Sequence, residues 1–137
     1  MRIAVVDGQG GGMGKAIVER FRKEFKDTID IVALGTNSLA TSLMLKAGAN
    51  DGATGENAIV YNVSRVDFIL GPIGIISANS LLGELTPIMA NAISESSAQK
   101  VLIPLNKCHV VVVGVENKPI QNYIDEAIDI VSAQSMK

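Results

Sequence analysis

The feature that most constrains this chain lies at its start, where the apolar run Ile3-Ala4-Val5-Val6 stops at Asp7 and enters Gly8-Gln9-Gly10-Gly11-Gly12-Met13-Gly14. Four apolar residues in a row are too few for a helix but suit a strand buried on both faces. From Gly14 onward the period changes: Ile17, Val18, Phe21 and Phe25 fall on one helical stripe, and Glu19, Arg20, Arg22, Lys23 and Glu24 on the other side. A buried strand, a glycine loop and an amphipathic helix in that order begin a βαβ unit, so the expected class is α/β.

The rest of the chain repeats the alternation. Ile29 to Leu34 reads as a second strand, followed by Gly35-Thr36-Asn37, where Asn37 or Ser38 can cap a helix that Gly48 ends. Residues 50–55 are turn-rich, and Thr54 can cap a short helix through Ile59 and Val60. Val66 to Leu70 is the third predicted strand, closing at Gly71-Pro72-Ile73-Gly74. A helical region with Leu81, Leu82 and Leu85 is expected next, then a helix opened by Thr86-Pro87 and ending near Ser94. Val101 to Ile103 and Val110 to Val115 read as two further strands. Only Pro104 to His109 joins them, too short for a parallel crossover, so the last is predicted as an antiparallel edge strand. Ile120 to Val131 closes the chain as an amphipathic helix. The expectation is one Rossmann-like domain over residues 1–137, a three-layer α/β/α sandwich with a mostly parallel sheet.

Composition narrows the function classes. A chain of 137 residues leaves no room for a separate substrate lobe, and 47% hydrophobic residues supply ample core. A net charge of −2 lacks the basic excess that nucleic acid or an anionic membrane attracts, so neither is an expected partner. One cysteine, Cys108, and one histidine, His109, allow neither an internal disulfide nor a metal site of Cys/His spacing. With no signal-type apolar segment at the start, the cytoplasm is the expected location.

In a parallel sheet every strand-to-helix turn lies at the carboxyl edge. The loops at Gly8 to Gly14, Thr36-Asn37 and Gly71-Pro72-Ile73-Gly74 therefore share one rim, where such folds bind ligands. The first combines backbone N–H groups with a helix N-terminus, a setting for phosphate or another anion. The candidate ligand-binding residues are Gly8, Gln9, Gly10, Gly11, Gly12, Met13, Gly14 and Lys15, with Thr36, Asn37, Gly71, Pro72, Ile73 and Gly74.

The spelling GxGxxG is absent, but Gly8, Gly12 and Gly14 fit GxxxGxG and resemble the cofactor loop of the short-chain dehydrogenase/reductase family. That resemblance covers about the first third of the chain and implies NAD(P) or another nucleotide as cofactor. The family's Tyr-x-x-x-Lys pair is missing, since Tyr61 is followed by Arg65 and Tyr123 by Ala127. The carboxylate that selects an adenosine ribose belongs at the end of the second strand, where this chain has Thr36 and Asn37. Gly11-Gly12-Met13-Gly14-Lys15 is similar to the deviant Walker loop, but Gly10 replaces its signature lysine and Ala16 the magnesium-binding hydroxyl. Asp7 at the loop entrance would repel a diphosphate unless it caps loop N–H groups or holds a metal.

Together, residues 5–12, 33–37, 52–58 and 71–74 resemble a family of short bacterial proteins of unknown function. The resemblance spans nearly the whole chain and implies a Rossmann-like fold, with no activity or site residue attached. Between Phe68 and Gln99 only Glu84 and Glu95 are charged, so a helix there is expected to bury against a second copy, most simply as a homodimer. The expected function is binding of a nucleotide or phosphorylated metabolite. Two alternatives stand beside it: an oligomeric oxidoreductase-like enzyme using Asp7, Lys15 or Cys108 at a site completed between subunits, and a non-catalytic sensor or interaction module.

Overall fold

Strand and helix alternate along the chain as the hydrophobic periods dictate. The strands are β1 (Arg2–Asp7), β2 (Asp30–Gly35), β3 (Asp51–Thr54), β4 (Phe68–Pro72) and β5 (Gln99–Ile103). The helices are α1 (Gly12–Phe25), α2 (Ser38–Ala47), α3 (Glu56–Asn62), α4 (Pro87–Glu95) and α5 (Ile120–Ser135). The computed structural model describes residues 1–105 and 109–135.

Among the described residues all four strand pairings are parallel, and the sheet order is β3-β2-β1-β4-β5. β1 is the central strand and is apolar on both faces. Ile3 and Val5 pack with α1, α2 and α5, whereas Ala4 and Val6 pack with α3 and α4. The face that a helix covers follows from the direction of travel across the sheet. The path from β1 through β2 to β3 runs one way and lays α1 and α2 on one face. The path from β3 to β4 and β5 runs the other way, so right-handed crossovers send α3 and α4 to the opposite face. This strand order matches the first five strands of the doubly wound dinucleotide-binding sheet, and its reversal point lies between β1 and β4.

Several sequence expectations hold. Asn37 caps α2 by accepting from the Ala40 N–H at 2.9 Å, and Thr86 caps α4 by accepting from Met89 N–H at 3.2 Å. Gly48 ends α2 with φ 124°, and α5 buries Tyr123, Ile124, Ala127, Ile128 and Val131.

Others are corrected. The expected antiparallel edge strand does not form: residues 110–115 are not paired with the sheet, and β5, the last strand among the described residues, is parallel to β4 because α4 provides the crossover between them. Residues 51–54 of the turn-rich stretch are an edge strand, since the free edge of β2 supplies partners from Val32 to Gly35. Gly55, not Thr54, precedes α3. No helix forms around Leu81, Leu82 and Leu85. Residues 77–86 make an irregular strap in which Asn79, Leu81 and Leu82 adopt left-handed backbone, with φ of 65°, 57° and 55°.

Candidate functional site

The glycine loop is built around Asp7. This buried carboxylate accepts from Gly8 N–H at 2.8 Å and from Gly14 N–H at 2.6 Å, so it clamps both ends of the loop. Of the two roles open to Asp7, capping is the one its oxygens fill. Burial pushes its carboxyl above the ordinary range, the Gly14 and Gly8 bonds pull it back, and the nearby Glu84 charge adds to the rise. Gly14 allows the close approach: a Cβ there would stand 2.7 Å from Met44 Sδ and 2.8 Å from Asp7 Cβ.

Within the loop, Gly11 N–H donates to Gly8 carbonyl at 2.9 Å, and Gly11 itself, at φ 73°, precedes the first turn of α1. The N–H groups of Gly10, Gly12 and Met13 find no protein acceptor among the described residues. They border a crevice of about 200 Å³ whose other wall carries Pro72, Leu81 and Leu105. The crevice thus lies outside the carboxyl ends of β1 and β4, at the strand-order reversal. Larger hollows, of about 410 Å³ between β5 and α5 and about 450 Å³ near Met1 and Gln134, lie away from it. Position at the reversal point and converging donors, rather than volume, single out the loop crevice.

The β2 side of the rim is organised by a residue that sequence reasoning did not select. Glu84, carried by the strap, accepts through one oxygen from Thr36 Oγ1 at 2.6 Å, Asn37 Nδ2 at 2.8 Å and Gln9 N–H at 2.9 Å. Asn37 Nδ2 also donates to the Gln9 carbonyl at 2.9 Å, so the loop, the end of β2 and the strap are tied together. Burial works to raise the Glu84 carboxyl, but the bonds from Thr36, Gln9 and Asn37 outweigh it and hold it below the ordinary glutamate range. Gly8 leaves room for this junction, because a Cβ there would collide with Thr36 Oγ1 and lie 3.1 Å from Glu84 Oε1. The available signal was the isolation of Glu84 in an apolar stretch with one other charge.

The remaining candidates divide. Gly8, Gln9, Gly10, Gly11, Gly12, Met13 and Pro72 line the crevice, and Thr36 and Asn37 stand beside it. Gly14 serves packing. Gly71 lies against the Val6 carbonyl, and Ile73 and Gly74 form a 3-10 turn behind the rim whose Gly74 carbonyl accepts from Ser80 Oγ. Lys15 is exposed, its ammonium 4.0 Å from Glu19 along the helix. His109 is exposed beside the strap at Ser77 to Leu82, while Cys108 lies outside the described residues. Asn79 N–H donates to Leu85 carbonyl and shapes the strap.

Among the described residues no helix is long and apolar enough to cross a membrane. The fold is similar to that of a dodecameric FMN-dependent UbiX-like decarboxylase from Escherichia coli O157:H7, with a TM-score of 0.51 and 14% identity over 96% of this chain and 95% of that one. A universal stress protein from Archaeoglobus fulgidus aligns with 74% of this chain and 97% of its own, at 14% identity and a TM-score of 0.45. No curated protein matches the sequence. The family model described as a domain of unknown function (DUF3842) matches residues 2–136, as the glycine loop and the rim segments at 33–37, 52–58 and 71–74 led one to expect, and the chain belongs to that family.

Proposed function

We propose that this protein binds a nucleotide or phosphorylated metabolite in the crevice over β1 and β4, with a phosphate received by the N–H groups of Gly10, Gly12 and Met13. The observation that carries the reading is the convergence of three unspent backbone donors at the start of a 14-residue helix, at the reversal point of the sheet. A crevice of about 200 Å³ takes a phosphate-sized group, and the remainder of the ligand lies along the rim past Gln9 or Pro72.

Gly12 gives a clean test. A side chain added there meets nothing within 4 Å, and an aspartate in the first helical turn suits the dipole, so Gly12→Asp keeps the fold while placing a negative charge where the phosphate would sit. A thermal-shift series with inorganic phosphate, ADP, NAD, NADP and FMN is expected to stabilise the wild type, by about 2.7 kcal/mol at about 100 times Kd. Gly12→Asp is expected to melt like the unliganded wild type and to lose that response. An undiminished response in the variant, or none in the wild type, overturns the reading.

A second reading concerns assembly. Val111 and Val113 are 92% and 95% exposed in a run of valines that pairs with nothing in its own sheet, and Leu82 on the strap is 93% exposed. Exposed apolar side chains of this kind support self-association. The apolar stretch from Phe68 to Gln99 contributes less than its composition suggests, because Ile75, Leu85, Met89 and Ile93 are buried in the chain's own core.

A further inference from the structure

The strap carries a carboxylate to the place where the sequence has none. In dinucleotide-binding sheets of this strand order, an acidic side chain at the end of β2 accepts from the ribose hydroxyls, next to the glycine loop that takes the phosphates. Here β2 ends in Gly35, followed by Thr36 and Asn37, both uncharged. Glu84 arrives from the other arm of the chain, between β4 and α4, and its Oε1 lies within hydrogen-bond distance of both these side chains and of the loop N–H of Gln9. Three donors immobilise that one oxygen. The second oxygen, Oε2, has no protein donor among the described residues, and the half-buried side chain keeps a solvent-facing side.

We propose that Glu84, which stands beside the crevice on the β2 side of the rim rather than in its lining, is the specificity-determining residue of the site, using Oε2 to accept from the vicinal hydroxyls of an unsubstituted ribose and excluding a ribose that carries a phosphate. The proposal rests on the nucleotide-binding reading above and adds the ligand class to it: a nucleotide with a free 2′,3′-diol.

Three observations converge on it. The strap holds Asn79, Leu81 and Leu82 in left-handed backbone, a costly shape that persists only where surrounding contacts enforce it. Its bonds from Asn79 N–H to the Leu85 carbonyl at 2.8 Å and from Leu85 N–H to the Ser80 carbonyl at 3.2 Å close the strap on itself and present Glu84 inward. Gly8 leaves the space that Glu84 and Thr36 share, so the loop is shaped around this carboxylate. Finally, the spacing along the rim follows the order of a nucleotide: Glu84 beside the end of β2, the free donors of Gly10, Gly12 and Met13 over β1, and Pro72 at the end of β4. A charged acceptor beside these neutral donors favours hydroxyl donors and opposes a second phosphate.

Isothermal titration calorimetry of the full chain with ADP, 2′-deoxy-ADP, adenosine 2′,5′-bisphosphate and inorganic phosphate tests this. The wild type is expected to bind ADP about 10- to 100-fold more tightly than 2′-deoxy-ADP, the range of a hydrogen bond to a charged group. Adenosine 2′,5′-bisphosphate is expected to bind more weakly still. Glu84→Gln keeps an acceptor for Gln9 N–H but removes the charge, and is expected to bring the three nucleotides within about 3-fold of one another. Equal affinity of the wild type for ADP and 2′-deoxy-ADP overturns the proposal without any variant. Tight phosphate binding that Gly12→Asp abolishes, with no added affinity from the ribose, also overturns it while leaving the anion site standing. Failure of every probe to bind removes the anion site itself.

Discussion

Asn37 shows how much one side chain holds at this rim. Its Oδ1 caps α2, while its Nδ2 donates to both the Gln9 carbonyl and the Glu84 carboxylate. Asn37→Asp preserves the cap and even suits the helix dipole, but it sets a carboxylate where the amide donated and removes both bonds. At pH 7 the variant is expected to be less stable by about 1–2 kcal/mol. The pH dependence has a definite sign. The folded-state pKa of Glu84 is lowered, so its stabilisation is full above the ordinary glutamate value and is lost as pH falls through the lowered one. In the variant two facing carboxylates are raised instead, and protonation relieves them. The stability gap between wild type and Asn37→Asp, read from urea melts at successive pH values, should therefore shrink on acidification below about pH 4.3. A gap independent of pH would mean that the Asn37 to Glu84 contact is not electrostatic. Asp7 runs the other way: its raised carboxyl favours the folded state at low pH and loses that contribution as pH rises through the raised value.

Among the elements, α4 is the one whose end is most dependent on a single hydroxyl. Thr86 Oγ1 accepts from Met89 N–H and donates to Glu56 Oε2 at 2.6 Å, joining the starts of α3 and α4. Thr86→Ala is expected to cost about 1 kcal/mol, the usual loss of a threonine cap, and Thr86→Ser to recover most of it. Thermal melts of the two variants decide this; equal losses would assign the effect to the threonine methyl. The same cap was plain in Thr86-Pro87, because capping chemistry is local. The strap just before it was not. Leu81, Leu82 and Leu85 have helical spacing, but Leu85 is buried in the core from an irregular turn, its N–H donating to the Ser80 carbonyl, rather than from a helix face. The strands teach a related lesson. Asp51-Gly52-Ala53-Thr54 has poor strand propensity and forms β3, whereas the valines at 110–113 have the highest and form none. A strand requires the hydrogen-bonding edge of a neighbour, and β2 offers one to the first segment.

For the whole molecule, the exposed valines carry a prediction about assembly. Sedimentation velocity is expected to find a species heavier than the 14.4 kDa monomer at micromolar concentration. A Val111→Lys/Val113→Lys double variant is expected to sediment as a monomer that keeps the wild-type circular-dichroism spectrum, since both side chains are over nine-tenths exposed. A monomeric wild type, or an assembly unaffected by the two lysines, would remove the valine run as an interface.

The sequence by itself determined the α/β class, the central position of β1, the amphipathic faces of α1 and α5, the caps at Asn37 and Thr86, and the rim shared by the glycine loop and Thr36-Asn37. These depend on periodicity, backbone conformation and side-chain bonds spanning a few residues, all of which are written locally. Tertiary structure alone decided which segments found a strand edge, the all-parallel order β3-β2-β1-β4-β5, and the place of Glu84. That carboxylate is 48 positions from Thr36 and 75 from Gln9, and no local pattern links them. Their meeting arises because the sheet reverses direction at β1, which brings the β4 side of the chain back across the loop it helps to complete.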